Sequence, residues 1–168
     1  MASLNAKVVI TGRNAERVGK VAKKCEEVSP DALKPLQVVA DVANDEDLKK
    51  LVTATIDEFG QIDVLVNNAG FLELGDLAAE NVMEVYEKIM ATNLRAVVLL
   101  THLCLPHLIE SKGSVINISS RAGLRPLSNK FSYCISKAGL DMFTKCMAID
   151  LGPKGVRVNS IKYVKLFI

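Results

Sequence analysis

Short runs of valine, isoleucine and leucine alternate along this chain with longer stretches in which apolar residues recur at helical spacing. The helical stretches are residues 14–28, 45–60, 80–110 (interrupted near Ala91–Asn93) and 131–151. The apolar runs, which predict strands, are residues 7–11, 36–41, 62–68, 114–120 and 156–161. Unbroken apolar strands separated by helices are typical of a parallel sheet covered on both faces. The pattern therefore predicts an α/β fold. Asn14 is a candidate N-cap of the first helix and Gly60 a candidate C-terminal stop of the second.

Polar residues follow several of the predicted strands at the points where those strands end. Asp41 closes the second strand, "NNAG" (67–70) the third, and Ser119 and Ser120 the fourth. In open parallel sheets, ligands bind at the carboxyl ends of the strands. Asparagine and glycine are also good turn formers, so "NNAG" taken alone fits a simple turn equally well. Three polar strand ends in one small chain favour a ligand site at this edge.

A tyrosine and a lysine lie four residues apart in the last predicted helix, within "SYCISKAGL" (132–140). Four residues give about 6 Å of rise and about 40° of rotation, so Tyr133 and Lys137 share a face. A free tyrosine has a pKa of about 10, and a nearby ammonium favours the phenolate. A tyrosine tuned in this way exchanges a proton with an alcohol or carbonyl oxygen, which the hydroxyl of Ser120 would hold. The alternative is a surface pair on an amphipathic helix.

Composition and charge exclude several classes of protein. The 168 residues fit one domain, and 49% hydrophobic with 24% charged residues is an ordinary globular balance. A net charge of +2 without a basic cluster argues against a nucleic-acid partner. His102 and His107 lie five residues apart with no acidic or cysteine cluster nearby, so no metal site is expected. The strongly apolar run 96–100 is too short to span a membrane, and four cysteines without CxxC spacing fit a reducing, cytoplasmic location.

Taken together, the motifs resemble the short-chain dehydrogenase/reductase family. "NNAG" (67–70), Asn93 within "MATNLRAV", "INISSRAG" (116–123), "YCISK" (133–137) and "VRVNSI" (156–161) occur in that family's order and approximate spacing. The resemblance covers residues 3–161. It implies a Rossmann-like, doubly wound parallel sheet in a single dinucleotide-binding domain over residues 1–168. It also implies hydride transfer between a nicotinamide cofactor and a small carbonyl or alcohol.

The resemblance assigns catalytic roles by position. Tyr133 is implied to be the acid/base, and Lys137 to lower its pKa and hold the nicotinamide ribose. Ser120 would polarise the substrate oxygen, with Ser119 as its strand-end neighbour. Asn93 would complete a proton relay through water.

Cofactor contacts are implied in the same way. Asp41 and Val42 would flank the adenine, while Asn67, Ala69 and Gly70 would line the cofactor groove beside Tyr133 and Lys137. Arg13 follows the first predicted strand, where an NAD-preferring member carries an acidic residue. A guanidinium there suits a 2′-phosphate, so NADP(H) is favoured over NAD(H). A solvated cation at a strand end is the other interpretation of Arg13.

Both ends of the chain depart from the family pattern. Members begin with a strand, a TGxxxGxG turn and a helix, and that glycine-rich turn is absent from this sequence. In the family's strand order the missing strand lies between the strands at 7–11 and 62–68. After "VRVNSI" the chain reads "KYVKLFI" instead of the usual Pro-Gly loop and substrate segments. A shortened form is therefore expected, an incomplete domain with two strand edges that lack a partner and a β-prone tail guarded by Lys162 and Lys165.

Two functional hypotheses follow from these features. The first is an NADP(H)-dependent reductase or dehydrogenase. The second is a catalytically impaired form that acts as a non-enzymatic oligomerisation partner. In the family, the helices matching residues 93–111 and 131–151 pack against a partner subunit, and both are apolar over more than one face here. The substrate stays open, because Arg121, Arg125 and Lys130 form either an anion-attracting or a solvated loop. Beside the tyrosine, Cys134 fits core packing better than a redox switch.

Overall fold

The computed structural model describes residues 1–163, and the chain divides into two compact units, Met1–Ile62 and Asp63–Ile168. Both units are built from parallel strands and helices, which confirms the predicted α/β class. All of the strands and long helices expected from the sequence are present in the described residues. The last part of the expected β-prone tail, residues 164–168, lies outside them. The single dinucleotide-binding domain inferred from the resemblance stays a prediction.

The first unit contains a two-stranded parallel sheet and two helices. Its strands are β1 (Val9–Gly12) and β2 (Leu36–Val39), paired so that Val9 lies opposite Leu36. Its helices are α1 (Ala15–Val28) and α2 (Asp45–Phe59). A short 3-10 turn, Ala2–Leu4, precedes β1.

Side-chain caps define where these two helices begin and end. The Asn14 side chain accepts a hydrogen bond from the Arg17 N–H at 2.8 Å, as the sequence predicted. Asn44 does the same for the Glu46 and Asp47 amides, and three acidic residues in the first turn of α2 complement its dipole. The helix ends at Gly60, whose φ of 71° places it in the left-handed region that glycine adopts without strain.

The second unit holds a three-stranded parallel sheet in the order β3–β4–β5. Its strands are β3 (Val64–Asn67), β4 (Ser114–Ser120) and β5 (Arg157–Tyr163). Its helices are α3 (Val82–Met90), α4 (Ala96–Glu110) and α5 (Phe131–Leu151). Turns of 3-10 helix, Arg121–Gly123 and Gly152–Lys154, follow β4 and α5.

A π-helical segment, Ala91–Arg95, joins α3 to α4 and produces the interruption that the sequence predicted. Such a segment inserts an extra residue into the helical turn, and it is frequent at functional sites because it re-aims the side chains it carries. Here it carries Asn93, which is completely buried. The change of helical pitch therefore brings a polar side chain into the interior of the second unit.

The core of the second unit combines apolar packing with a chain of buried amides and hydroxyls. Nδ2 of Asn67 on β3 donates to Oδ1 of Asn117 on β4 at 2.9 Å and to Oγ1 of Thr101 on α4 at 3.3 Å. Nδ2 of Asn117 donates in turn to Oγ1 of Thr144 on α5 at 2.9 Å. Buried polar groups are costly unless they are hydrogen-bonded. This series of hydrogen bonds therefore holds two strands and two helices in one arrangement. The apolar side chains buried alongside it are Ile89, Leu108, Val115, Leu140 and Val156.

The continuous helical run Val82–Glu110 is long and apolar enough to cross a membrane by length and composition. Core helices of water-soluble folds pass the same test. In this run Asn93 and Thr101 are buried and hydrogen-bonded to other elements of the second unit, as core residues are. The absence of a membrane partner stays a prediction.

The strands β1 and β3 each have a single partner strand within the described residues, β2 and β4 respectively. Each therefore presents an edge of backbone N–H and C=O groups without a ladder partner in those residues. On β3 the side chains of Val64 and Val66 are also exposed. An apolar strand with a free edge promotes association with other chains.

We expect the 168-residue chain, expressed alone, to associate and to have a low thermal unfolding midpoint, because the backbone groups of these edges lack ladder partners. Fusing a relative's first strand and helix to its N-terminus should raise the unfolding midpoint and reduce association together. Light scattering after gel filtration and scanning calorimetry measure the two effects. Val64→Thr with Val66→Thr should also reduce association, whereas Val21→Thr, at an exposed position of α1, should not. A monodisperse chain that melts cooperatively as a dimer would refute this expectation.

Candidate active site

The first turns of α5 bring Tyr133 and Lys137 together on one face, as their spacing predicted. Nζ of Lys137 lies 5.7 Å from the centroid of the Tyr133 ring, within the range of a cation–π contact. Tyr133 is half-buried, whereas Lys137 is only 5% exposed. The lysine is therefore buried within the second unit, which contradicts the alternative of a solvated surface pair.

Lys137 is anchored to the sheet as well as to its helix. Its Nζ donates to the carbonyl oxygen of Ile118 on β4 at 2.8 Å. Burial lowers the pKa of Lys137 from its ordinary value of 10.5, and the carboxylate of Asp141, one helical turn further, partly opposes that shift. The lysine side chain is thus largely removed from solvent, and the carbonyl that it contacts lies two residues before Ser120 in β4.

Ser120 ends β4 and begins the 3-10 turn that follows. Its Oγ accepts a hydrogen bond from the Ala122 N–H at 3.2 Å. This bond uses a lone pair of the oxygen and leaves the hydroxyl proton available for donation. The neighbouring Ser119 is buried, and its hydroxyl has no hydrogen-bond partner in the described residues.

Asn93 is held by both polar atoms of its amide. Oδ1 accepts from the Phe71 N–H at 3.0 Å, and Nδ2 donates to the Phe71 carbonyl at 2.9 Å and to Oγ of Ser136 at 3.2 Å. Its side chain therefore joins the π-helical segment to the loop after β3 and to α5.

The loop after β3 carries the "NNAG" motif and passes beside these groups. Ala69 and Gly70 are exposed. A Cβ built on Gly70 would lie 3.1 Å from Oδ1 of Asn93 and 3.7 Å from Nζ of Lys137. Gly70 therefore leaves open a space that both polar side chains border. Asn67, by contrast, points into the buried amide chain.

The remaining predicted cofactor residues lie in the first unit. Arg13 and Asp41 approach one another at 3.8 Å between Nη1 and Oδ2, and 77% of the Arg13 side chain is exposed. Oδ1 of Asp41 accepts from the Ala43 N–H at 2.9 Å, which fixes the turn after β2. Val42, within that turn, is half-buried.

Several contributors to the site were not predicted from the sequence. The backbone of Phe71 leaves no sequence signal, because any residue supplies the same N–H and C=O groups. Thr101, Asn117 and Thr144 become recognisable only once the strands and helices are packed. Ser136 lies inside the "YCISK" motif, so its position next to Lys137 was the available signal.

The second unit thus brings together a hydroxyl at the end of β4, a phenol and a buried ammonium on α5, and a buried amide in the π-helical segment. Hydroxyl, phenol and ammonium groups can each donate a proton or a hydrogen bond. Within residues 1–163, no group of three His, Cys, Asp or Glu side chains is arranged to hold a metal ion. Parallel strands alternating with helices are the architecture of Rossmann-like folds.

The chain belongs to the short-chain dehydrogenase family, whose model matches residues 1–163. An uncharacterized oxidoreductase of Staphylococcus saprophyticus is 34% identical over 96% of this chain and 68% of its own length. L-xylulose reductase of Caenorhabditis elegans is 35% identical over 96% of this chain and 62% of its own length.

Solved structures agree with these sequence relatives. The structure of a 3-ketoacyl-(acyl-carrier-protein) reductase from Brucella melitensis, complexed with NADH, is similar with a TM-score of 0.86 at 32% identity. The match covers 96% of this chain and 66% of that one. The chain spans 45% to 68% of the lengths of the first curated relatives it matches. Family membership is thereby established for the part that the chain contains.

We expect the stability that Lys137 contributes to rise with pH. Because burial lowers its folded-state pKa, the folded chain releases the proton before the unfolded chain does. Between the lowered pKa and 10.5 the unfolding free energy therefore increases with pH, and below that window the cost of the buried charge is complete. The unfolding free energy of the wild type minus that of Lys137→Met should therefore increase from neutral pH towards 10.5.

Urea denaturation followed by circular dichroism at a series of pH values measures this difference. Lys145→Met removes an exposed lysine from the same helix and is the matched control. A wild-type advantage over Lys137→Met that stays constant or declines across the window would contradict the burial of the charge.

Proposed function

We propose that this chain provides the catalytic unit of an NADP(H)-dependent oxidoreductase that reduces a carbonyl or oxidises a secondary alcohol. The observation that carries the proposal is the buried Lys137, 5.7 Å from the Tyr133 ring and hydrogen-bonded to the strand that ends at Ser120. An ammonium is costly to bury, and a catalytic role explains its retention beside a phenol.

Tyr133 is the acid/base of the proposed reaction. In the reductive direction its hydroxyl gives a proton to the carbonyl oxygen, and in the oxidative direction its phenolate removes the alcohol proton. Ser120 donates a hydrogen bond to the same oxygen with the proton that its contact to Ala122 leaves available. When bound, the nicotinamide cofactor supplies or accepts the hydride.

Lys137 supports the tyrosine electrostatically. A cation close to a phenol stabilises the phenolate relative to the neutral form, and low solvent exposure strengthens the interaction. The lysine also holds the nicotinamide ribose in this proposal. Asn93 contributes to a water-linked proton relay, and its amide keeps the π-helical segment against the loop after β3.

The residues around Gly70 fit a nicotinamide cofactor. A Cβ at Gly70 would crowd Oδ1 of Asn93 and come into van der Waals contact with Nζ of Lys137, so the glycine keeps open a cradle beside exposed backbone at Ala69. Asn67 fixes the start of this loop through its hydrogen bond to Asn117, and we include it in the proposed groove. The fit is incomplete on the phosphate side, because this sequence carries no TGxxxGxG turn.

Arg13 is the basis for preferring NADP(H). Its guanidinium is largely exposed, and its contact with Asp41 at 3.8 Å is a surface ion pair of small energetic value. It is therefore available to a 2′-phosphate, while Asp41 and Val42 lie in the turn proposed to flank the adenine. The Brucella relative complexed with NADH supports a nicotinamide cofactor in general.

Substrate and setting complete the proposal. The substrate is a small carbonyl or alcohol, with no nucleic-acid or membrane partner, in the cytoplasm. Homo-oligomers form through residues 93–111 and 131–151. The exposed apolar side chains on these helices, which support that surface, are Val98, Ile135, Met142 and Ile149.

The second candidate function is that of an impaired form which assembles with other subunits without turning over substrate. The exposed apolar side chains of α4 and α5, among them Val98, Ile135, Met142 and Ile149, favour it. The two candidates differ in one measurable property, since the second requires the helix surface and does not require cofactor binding.

We expect the 168-residue chain to bind NADPH weakly or not at all, because Arg13 cannot replace a phosphate cradle of backbone amides. Isothermal titration calorimetry measures this directly. Micromolar affinity of the unmodified chain would overturn the expectation.

A chimera in which a relative's flanking segments extend residues 1–163 is the positive control. It should bind NADPH, and in it Arg13→Gln should weaken binding of NADPH but not of NADH.

In the same chimera, Tyr133→Phe should abolish nearly all carbonyl reduction, because the ring can no longer donate a proton. The expected loss is at least about 100-fold in kcat, the usual contribution of a general acid. Lys137→Met should be comparably severe. Turnover is measured from the fall in NADPH absorbance at about 340 nm with a panel of small carbonyl compounds.

Tyr86→Phe, in a half-buried position on α3, is the matched control and should leave turnover unchanged. A Tyr133→Phe variant that kept most of its activity would show that the proposed acid/base is another group.

A further inference from the structure

Ser136 is a buried serine of α5 that the proposed mechanism leaves without a role. It precedes Lys137 by one residue and follows Tyr133 by three, and 0% of its surface is exposed. Its Oγ donates to the carbonyl oxygen of Tyr133 at 2.8 Å. Serines within helices commonly bond back to the preceding turn in this way. With that bond alone, Ser136 would be an ordinary helical serine.

A second hydrogen bond connects Ser136 to a distant part of the chain. The same Oγ accepts from Nδ2 of Asn93 at 3.2 Å, across 43 residues of sequence. Asn93 is also 0% exposed, so water cannot replace either partner if the other is removed. The hydroxyl therefore acts at once as a donor within α5 and as an acceptor for the π-helical segment.

The amide of Asn93 depends on this acceptor for one of its two hydrogens. An asparagine amide carries two donor hydrogens and one acceptor oxygen. The Phe71 backbone takes one hydrogen at 2.9 Å and gives its N–H to the oxygen at 3.0 Å. The remaining hydrogen points to Ser136. Phe71 thus fixes the plane of the amide, and Ser136 attaches that amide to α5.

The loop that Asn93 holds runs beside Lys137. Gly70, which precedes Phe71, has both Oδ1 of Asn93 and Nζ of Lys137 within van der Waals reach of a Cβ position. A displacement of the Asn93 amide would therefore shift the backbone at Gly70 and Phe71 relative to the lysine.

We propose that Ser136 is a positioning residue whose hydroxyl, through Asn93, holds the backbone at Gly70 and Phe71 in place against the turn of α5 that carries Tyr133 and Lys137. Where it concerns turnover, this inference rests on the proposed function. The hydrogen-bonded arrangement itself can be tested without cofactor or substrate.

Backbone hydrogen exchange of the 168-residue chain, read by mass spectrometry with residue-level fragmentation, is the primary test. Ser136→Ala should accelerate exchange of the Phe71 N–H about tenfold, the effect of weakening one buried hydrogen bond. Ser132→Ala is the matched control, because Ser132 is buried on the same helix and its hydroxyl has no hydrogen-bond partner within the described residues. It should leave Phe71 exchange within about twofold of the wild type.

A coupling experiment separates positioning from simple packing. In an Asn93→Ala background, adding Ser136→Ala should cause no further acceleration at Phe71, because the bond between the two side chains is already absent. Acceleration that persists in that background, or that is confined to the amides of α5, would overturn the proposal. If Ser136→Ala fails to fold, Ser136→Cys keeps a similar volume with a weaker hydrogen-bonding atom. Faster Phe71 exchange in that variant supports the proposal, and unchanged exchange overturns it.

Turnover of the chimera supplies the kinetic readout. Ser136→Ala should lower kcat/KM for NADPH about tenfold, because the backbone at Gly70 and Phe71 borders both the proposed cofactor cradle and Lys137. Unchanged kcat and KM for NADPH would overturn the positioning role. A wild-type chimera without turnover would refute the proposed function and leave the exchange results valid.

Discussion

The hydrogen bond from the Lys137 ammonium to the Ile118 carbonyl is the contact on which the candidate site depends. An ammonium buried in a protein interior must find acceptors, or it loses its proton or leaves the interior. The carbonyl that satisfies it belongs to β4, two residues before Ser120, so the need to satisfy the charge also sets the position of α5 against the strand. Together with the Asn117–Thr144 hydrogen bond, the lysine therefore holds α5 against β4.

Around this bond, backbone groups supply many of the hydrogen bonds and much of the shape of the site. Phe71 contributes through its N–H and C=O groups, and Gly70 contributes by having no side chain. The carbonyls of Ile118 and Tyr133 accept from Lys137 and Ser136. Backbone positions are set by the fold, which explains how a solved relative 32% identical to this chain shares its architecture. Side-chain identity matters most where an amide, a phenol or an ammonium is required.

The fold was predictable because its strands are continuous apolar runs that are visible in the sequence. The expected cover on both faces is incomplete in the described residues, since alternate side chains of β2 and β3 are exposed. Tyr133 and Lys137 were predictable as a pair because helical geometry relates residues four apart without any tertiary information. The bonds of Asn93 were not, since its partners lie 22 and 43 residues away and one of them is a peptide group. Asn67 was assigned to the cofactor groove on resemblance, and the structure gives its amide a place in the buried polar chain. Such side-chain bonds arise only when β3, β4 and α5 are packed together.

The paired asparagines of β3 and β4 have a consequence for how the sheet assembles. Asn67 and Asn117 are register partners, and the bond between their amides continues through Thr144 to the carbonyl of Leu140. A slip of one residue between the strands would turn one amide to the opposite face and leave several donors buried without acceptors, at about 1–3 kcal/mol each. Apolar strands by themselves discriminate weakly between neighbouring alignments, because valine and isoleucine pack acceptably in many of them. The buried amides therefore select the strand register during folding, because they stabilise one alignment of the strands and destabilise the neighbouring ones.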